Sequence, residues 1–374
     1  MATVSAPATA STATPAAQAA PPAVERLASL DAFRGLTMIL LISHGFGIHP
    51  AFRDNPSLAW LAYQFEHAPW IGCTLWDLIQ PAFTFIVGAA MPFAFASRLS
   101  RGDSRGRLFG HVAWRAFFLL ALSNVLSNWG STNGLKLQLI NVLCQIAFGY
   151  LLCFALWNLV PLAQAAAALA VLVVHNGLFF LLPGPAGPFD PSANIGARLD
   201  LALLGYNYSG FYTTFNFLGN ALTILAGMWT GLFLRRPGSH TGRVKTLLGC
   251  AAACWVAGMA LSPLIPMVKR LWLGSFLLVS LGWVLAAFAA CYWLIEVKGR
   301  RGWAFPALVV GANSLFIYSF SQVLRGWLSR GLAAFTGNFA WLGEAGAIAQ
   351  NLAVLAVMFA LCYWLYQRKI FIKI

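Results

Sequence analysis

The chain has 374 residues, of which 60% are hydrophobic and only 9% are charged, and its formal net charge is +14. Soluble globular proteins carry roughly 25% charged residues, so this composition excludes an ordinary soluble domain. The basic residues lie almost entirely in short connections between apolar runs and not along one helical face. That distribution is typical of membrane topology signals and argues against a nucleic-acid partner.

The chain begins with a segment rich in alanine, proline and threonine, residues 1–26. Such a composition can bury little apolar surface, and the first 24 residues lack the basic start of a secretory signal peptide. We interpret residues 1–26 as a disordered cytoplasmic tail and residues 27–374 as a single transmembrane domain.

Apolar stretches of about 20 residues follow the tail, which is the length that crosses a hydrocarbon core of about 30 Å as a helix. They predict an all-α, polytopic membrane helix bundle of about ten transmembrane helices with the lipid bilayer as its solvent. The predicted spans are 30–48, 77–97, 109–128, 138–159, 163–182, 213–234, 244–266, 272–295, 304–324 and 346–366.

The lysines and arginines divide unevenly between the two sides of this bundle. One set of alternate connections, together with both termini, holds 17 of them and the other set holds seven. Because positive residues concentrate on the cytoplasmic side, this division predicts that both termini are cytoplasmic. The two long connections, 49–76 and 183–212, then lie outside. Long loops in compact proteins are often functional, so we expect a substrate site on the outer face.

The first span opens with Asp31 and Arg34, which lie three residues apart on one helical face and can form an ion pair. One interpretation is a simple pair at the helix end. The alternative is that Arg34 helps to hold an anionic cofactor that enters from the cytoplasm.

His44 and His49 lie near the outer end of the same span and can reach the mouth where His67 is expected. A group of three histidines is also a candidate metal site, because imidazole nitrogens bind transition metals. We expect no metal, because no acidic or cysteine partner shares a regular spacing with them. The seven cysteines contain no C-x-x-C pair and mostly lie inside apolar runs, as buried small side chains do.

His67 lies in the first long connection and Asp77 at the start of the second span. An imidazole titrates near neutral pH, which suits a general base or a transient acyl acceptor, and a carboxylate can orient it. Considered alone, His67 also fits an interfacial residue. Asn313, a buried amide in the ninth span, either bonds a neighbouring helix or lines a site.

At these residues the chain resembles the transmembrane acyltransferases related to heparan-alpha-glucosaminide N-acetyltransferase, including their bacterial branch. The matching motifs occur in the family's order and cover nearly everything after residue 26. They are L-D-A-F-R-G (30–35), H-A-P-W-I-G-C-T-L-W-D-L-I-Q-P (67–81), F-I-V-G (85–88), W-R (114–115), K-R-L-W (269–272), G-A-N-S (311–314) and Y-Q-R-K-I-F-I-K-I (366–374).

The resemblance implies that His67 is catalytic, with Asp77 beside it, and that acetyl-CoA donates from the cytoplasmic side to an amine or hydroxyl of a glycan or amino sugar outside. Arg34 and Arg115 lie in matching motifs at cytoplasmic helix ends and suit the phosphates of CoA. His44, Trp70 and Asn313 are expected on the substrate. His44 stands near the place where lysosomal members carry an asparagine.

The resemblance also implies a multi-pass protein of a bacterial inner membrane. Two alternatives stay open. One is a transporter or carrier of an envelope precursor, favoured by glycine- and proline-interrupted spans, and the other is an inactive relative. The sequence carries no signal of oligomeric state.

Overall fold

The computed structural model describes residues 27–132 and 134–372. The interpretation of residues 1–26 as a disordered tail therefore concerns residues outside the described part of the chain. Within that part the regular structure is helical and no β-strand forms, as the apolar runs predict.

The described residues include fourteen α-helices, joined by short 3-10 or π segments, turns and loops. The first seven are α1 (Ala28–Ile42), α2 (Ile48–Phe52), α3 (Ala59–Gln64), α4 (Ile79–Leu99), α5 (Arg105–Ser127), α6 (Val142–Leu156) and α7 (Pro161–Leu181). The others are α8 (Ile195–Leu204), α9 (Phe217–Arg235), α10 (His240–Leu261), α11 (Gly274–Tyr292), α12 (Phe305–Ala312), α13 (Ser314–Thr336) and α14 (Ala345–Gln367).

Seven helical segments among the described residues are long and apolar enough to cross a membrane, and two bent helix pairs raise the number to nine. The prediction of a polytopic helical membrane bundle is confirmed. The predicted span 138–159 is shorter in the structure, where α6 covers Val142–Leu156. The side chain of Asn141 accepts a hydrogen bond from the Leu143 N–H and so begins the helix later than hydropathy suggests.

Two predicted spans are broken instead of straight. The first, 30–48, bends by 51° between α1 and the turn that follows, where His44 and Gly45 adopt left-handed backbone conformations. The ninth, 304–324, bends by 69° at Asn313, between α12 and α13. Left-handed residues cannot continue a right-handed helix, which explains the first break.

The centre of the bundle is held by close packing of α4 against α9. A Cβ atom on Gly88 would meet the backbone of Ile224, and one on Gly227 would meet the backbone carbonyl of Phe85. Within a membrane the hydrophobic effect does not drive helices together, so close packing matters more. Small residues such as glycine allow the two backbones to approach this closely. This packing holds α4 in the bundle, and the candidate site lies beside the start of α4.

Candidate active site

Asp77 lies in the short turn Trp76–Leu78 that leads into α4, and it is 1% exposed. Its Oδ2 accepts hydrogen bonds from the backbone N–H groups of Ala68 and Thr74, each at 3.2 Å, and from the Thr74 hydroxyl at 3.0 Å. These donors hold the carboxylate in one orientation and leave Oδ1 directed at other partners.

His67 supplies one of those partners, because its Nδ1 lies 2.7 Å from Oδ1 of Asp77. A carboxylate can only accept, so Nδ1 carries the proton in the neutral imidazole and Nε2 has a free lone pair. Nε2 forms no hydrogen bond to any residue that the structure describes, and the side chain is 36% exposed. His67 therefore has the geometry of an oriented base or nucleophile, and the catalytic role of this pair stays a prediction.

Lys269 completes the cluster, and its role was missed in the sequence. Its Nζ lies 3.2 Å from Oδ1 of Asp77 and 3.2 Å from Nδ1 of His67, and its side chain is only 8% exposed. The available signal was the K-R-L-W motif in a connection on the same predicted side as His67. We call His67, Asp77 and Lys269 the His67 cluster.

An aromatic wall lies beside this cluster. The ring of Trp70 meets Phe211 edge-on at 6.2 Å between centroids, and the Arg270 guanidinium lies 6.0 Å from the Trp70 ring and 5.7 Å from the Tyr212 ring. Arg270 also donates to the carbonyl of Pro69, two residues after His67. The structure thus joins Trp70 to the second long connection, which supplies Phe211 and Tyr212.

His44 lies at the first helix break, with its ring centroid 6.4 Å from Trp76, and His67 lies 6.3 Å from the same tryptophan. The two histidines therefore share Trp76 as a neighbour. In the described part of the chain, no group of three or more His, Cys, Asp or Glu side chains is arranged to hold a metal ion.

Cys73 is the thiol nearest to this cluster in sequence. Burial, together with the negative charge of Asp77, raises the pKa of the Cys73 thiol to about 12, although the Lys269 cation opposes the shift. A thiol with that pKa carries almost no thiolate at neutral pH and is a poor nucleophile. This high pKa favours His67 over Cys73 as the nucleophile near the cluster.

Buried amides form a second feature that sequence reasoning missed. Gln145 of α6 is fully buried and bonds Gln80 of α4, Asn216 and Asn220, the last at 2.7 Å. Asn216 in turn donates to the backbone carbonyl of Arg270 at 3.1 Å. This chain of amides connects α4, α6 and α9 to the segment that carries Lys269.

The two predicted donor-binding arginines have local partners. Arg34 forms an ion pair with Asp31 at 3.0 Å, as the simpler interpretation expected. Arg115 is the eleventh of the 23 residues of α5, so the prediction that it lies at a helix end is wrong, and its guanidinium lies 4.8 Å from the centre of the Tyr150 ring. Their contact with CoA stays a prediction.

Asn313 holds the C-terminal segment in place. Its amide donates to the carbonyl of Ile370 at 3.0 Å and accepts from the N–H of Ile372 at 2.9 Å. These contacts place Asn313 near the C-terminal end of α14. The break beside His44 lies near the N-terminal end of α14, where Gly47 faces the Ala347 backbone. The 23 residues of α14 span about 34 Å. The structure thus separates Asn313 from the His67 end, and its contact with substrate stays a prediction.

Comparison with known proteins agrees with the motifs. A family model described as a domain of unknown function, DUF5009, matches residues 26–182. Human heparan-alpha-glucosaminide N-acetyltransferase is 27% identical over 421 aligned positions, covering 93% of this chain and 60% of the human protein. The mouse protein of the same name is 25% identical with the same coverage. The resemblance predicted from the motifs is confirmed, and the chain spans about 60% of the length of these relatives.

Proposed function

We propose that this protein is a membrane-bound acyltransferase that moves an acetyl group from cytoplasmic acetyl-CoA to an amine or hydroxyl of a sugar on the opposite side. The observation that carries the proposal is the His67–Asp77 pair, whose 2.7 Å contact directs the free Nε2 away from the carboxylate. Similarity to two N-acetyltransferases over 93% of the chain supports the same reaction class.

In a direct transfer, Nε2 of His67 removes a proton from the acceptor amine or hydroxyl as that atom attacks the thioester carbonyl carbon. The new bond to the acceptor forms, the carbon–sulfur bond breaks, and the CoA thiolate takes the proton back from the imidazolium. Asp77 keeps the proton on Nδ1, so the basic atom that faces the acceptor is Nε2.

In a two-step transfer, Nε2 attacks the thioester carbonyl itself, the carbon–sulfur bond breaks and the CoA thiolate leaves. The acceptor then attacks the acetyl-imidazolium, the bond from Nε2 to the acetyl carbon breaks, and the proton that the acceptor loses balances the charge of the released thiolate. Both routes need a neutral imidazole with Nε2 accessible, which is what the cluster presents. The aromatic wall of Trp70 and Tyr212 suits a sugar ring, because aromatic faces pack against its apolar side.

The topology fits a reaction across the membrane. The excess of lysine and arginine in one set of connections supports cytoplasmic termini and an outward-facing His67. Arg34 then lies toward the donor side and Arg115 lies midway along α5, and their planar guanidinium groups suit phosphates. The resemblance of the motifs to the family's bacterial branch supports the proposal that this multi-pass protein lies in a bacterial inner membrane.

The test mixes detergent-purified protein with radiolabelled acetyl-CoA, with and without a panel of amino sugars. We expect label to move to an acceptor with the wild type, and His67→Ala to lower the rate by about 10²–10⁴, the usual contribution of a general base. His111→Ala is the matched control, because His111 is an exposed histidine on α5. It should transfer at the wild-type rate.

Full transfer by His67→Ala would end the catalytic assignment. A wild-type protein that binds no acetyl-CoA would contradict the function as a whole.

The two broken spans favour a second candidate, because discontinuous helices are typical of transporters. A carrier would accumulate an envelope precursor inside proteoliposomes without any acetyl donor. Uptake of this kind, with no acetyl transfer in detergent, would favour the carrier over the enzyme.

A further inference from the structure

The K-R-L-W motif begins with a lysine that the proposed transfer does not yet use. We propose that Lys269 is a positioning residue that balances the charge of Asp77 and keeps the His67 imidazole unprotonated between turnovers. This inference rests on the proposed acyltransferase function for its purpose, but its physical content concerns only the three side chains of the His67 cluster.

The hydrogen-bond geometry gives the first reason. Oδ1 of Asp77 accepts from both Nδ1 of His67 at 2.7 Å and Nζ of Lys269 at 3.2 Å. Nζ and Nδ1 are also only 3.2 Å apart, and with Nδ1 protonated both are donors. A positive imidazolium would thus face an ammonium at contact distance, which is unfavourable where little water screens the two charges.

Charge balance gives the second reason. A buried carboxylate beside an imidazole favours the imidazolium, because the opposite charge stabilises it. At the His67 cluster the Lys269 cation already neutralises Asp77, since their side chains are 8% and 1% exposed. The imidazole therefore gains little from a proton, and Nε2 keeps the lone pair that either transfer route requires.

Other charged groups face the cluster less directly. Glu66 accepts from the His67 backbone N–H at 3.1 Å and lies 3.6 Å from His49, with its side chain 52% exposed. His44 lies across Trp76, and Arg270 turns toward Trp70 and Tyr212. Because Glu66 is exposed to solvent, its charge is screened more than that of Lys269.

The arrangement also affects the proton's return. When His67 takes a proton from the acceptor, the resulting imidazolium is destabilised by Lys269 and gives the proton back readily to the leaving CoA thiolate. Lys269 itself makes no bond to substrate in this scheme and keeps its proton throughout. It acts through His67.

The test measures the protonation of His67 without relying on acyl transfer. Diethyl pyrocarbonate modifies only unprotonated imidazole, and mass spectrometry of the His67 peptide gives the extent of modification at each pH. In Lys269→Met we expect the midpoint of this profile to move to higher pH by about 1–3 units, the range for loss of one close charge. The acidic limb of acetyl transfer should move by the same amount.

Three variants make the result specific. Lys269→Arg keeps the cation and should keep the wild-type midpoint, whereas Lys269→Gln keeps a donor without charge and should shift as Lys269→Met does. Lys269→Gln also serves if Lys269→Met fails to fold. Arg270→Met removes the neighbouring cation from the aromatic wall and should leave the modification midpoint in place.

An unchanged midpoint in both neutral variants would overturn the proposal and leave Lys269 a structural ion pair. A shifted midpoint in a protein that transfers no acetyl group would support the role of Lys269 and contradict the proposed function. The two failures are therefore distinguishable.

Discussion

The aspartates at the two ends of the bundle differ in their burial and in how far along the chain their partners lie. At one end, Asp31 pairs with Arg34 one helical turn away, and the two side chains are 37% and 26% exposed. At the other end, Asp77 pairs with His67 and Lys269, which is 192 positions further along the chain, and Asp77 and Lys269 are almost fully buried. A local, solvated pair follows from sequence spacing alone, whereas the buried pair exists only because distant segments meet.

The difference matters because burying a charge is costly unless a partner and hydrogen bonds compensate it. Asp77 has both, through Ala68, Thr74, His67 and Lys269. A bundle gains nothing from such a cluster that apolar side chains would not give more easily. The proposed acyl transfer gives the cluster at the start of α4 a chemical role, and substitutions at the two aspartates test the difference between them.

The largest effect is expected for Asp77→Asn. The change leaves Lys269 buried without its carboxylate, which costs about 3–5 kcal/mol. It also removes the group that holds the proton on Nδ1, so transfer should fall by about 10²–10⁴. Thermal unfolding in detergent and the acetyl-transfer rate report the two effects separately.

Asp31→Asn is the matched control for this change. Because a partly exposed ion pair contributes about 0–1 kcal/mol, the unfolding midpoint of Asp31→Asn should stay close to that of the wild type. Equal losses of stability in the two variants would show that the buried pair has no special status.

Much of this organisation follows from the sequence, and the limits are physical. The lengths of the apolar runs give the helices, and the local motif brings His67 and Asp77 together ten residues apart. Lys269 could not be assigned, because no periodicity connects positions 67 and 269. Lys269 meets Asp77 because the segment before α11 packs against the start of α4.

The broken helices escaped prediction for another reason. Hydropathy reports length and polarity, but the first break depends on the left-handed conformations of His44 and Gly45. At Asn313, hydropathy marks a costly amide without showing its partners, which are backbone groups of Ile370 and Ile372. The hydrogen bonds of the buried Asn313 amide are thus made within the protein, without a ligand.

A smaller effect tests Arg115, midway along α5, against Arg101 at the proposed donor end of the bundle. Arg115→Glu should weaken CoA binding by about tenfold or more, the size of one lost charge-assisted hydrogen bond. Arg101→Glu is the control, because Arg101 is exposed in the turn between α4 and α5. Titration of CoA into each purified variant measures the difference. Equal weakening would mean that only the overall positive charge of this end attracts the donor.

The smallest effect concerns two aspartates of the second long connection. Hydrogen bonds from the Ser192 and Ala186 N–H groups hold the pKa of Asp190 below its usual range, whereas burial raises the pKa of Asp200, opposed by the Thr214 N–H. The Asp190 carboxylate therefore stabilises the fold above about pH 4 and loses that contribution as pH falls through its folded pKa. Asp200 is destabilising when charged, and this penalty disappears as pH falls toward about 4.

The two substitutions to asparagine should consequently have opposite signs in thermal unfolding measured across pH. Asp190→Asn should lower the midpoint at pH 7, with the difference from wild type shrinking only below about pH 4. Asp200→Asn should match or exceed the wild type at pH 7 and lose that advantage as the pH is lowered, because the wild-type carboxyl then takes up its proton. If both variants moved in the same direction at every pH, hydrogen bonding and burial would not be what distinguishes these carboxylates. Hydrogen bonding and burial also act together on Asp77, so that result would weaken the same explanation for the charged state of Asp77 in the His67 cluster.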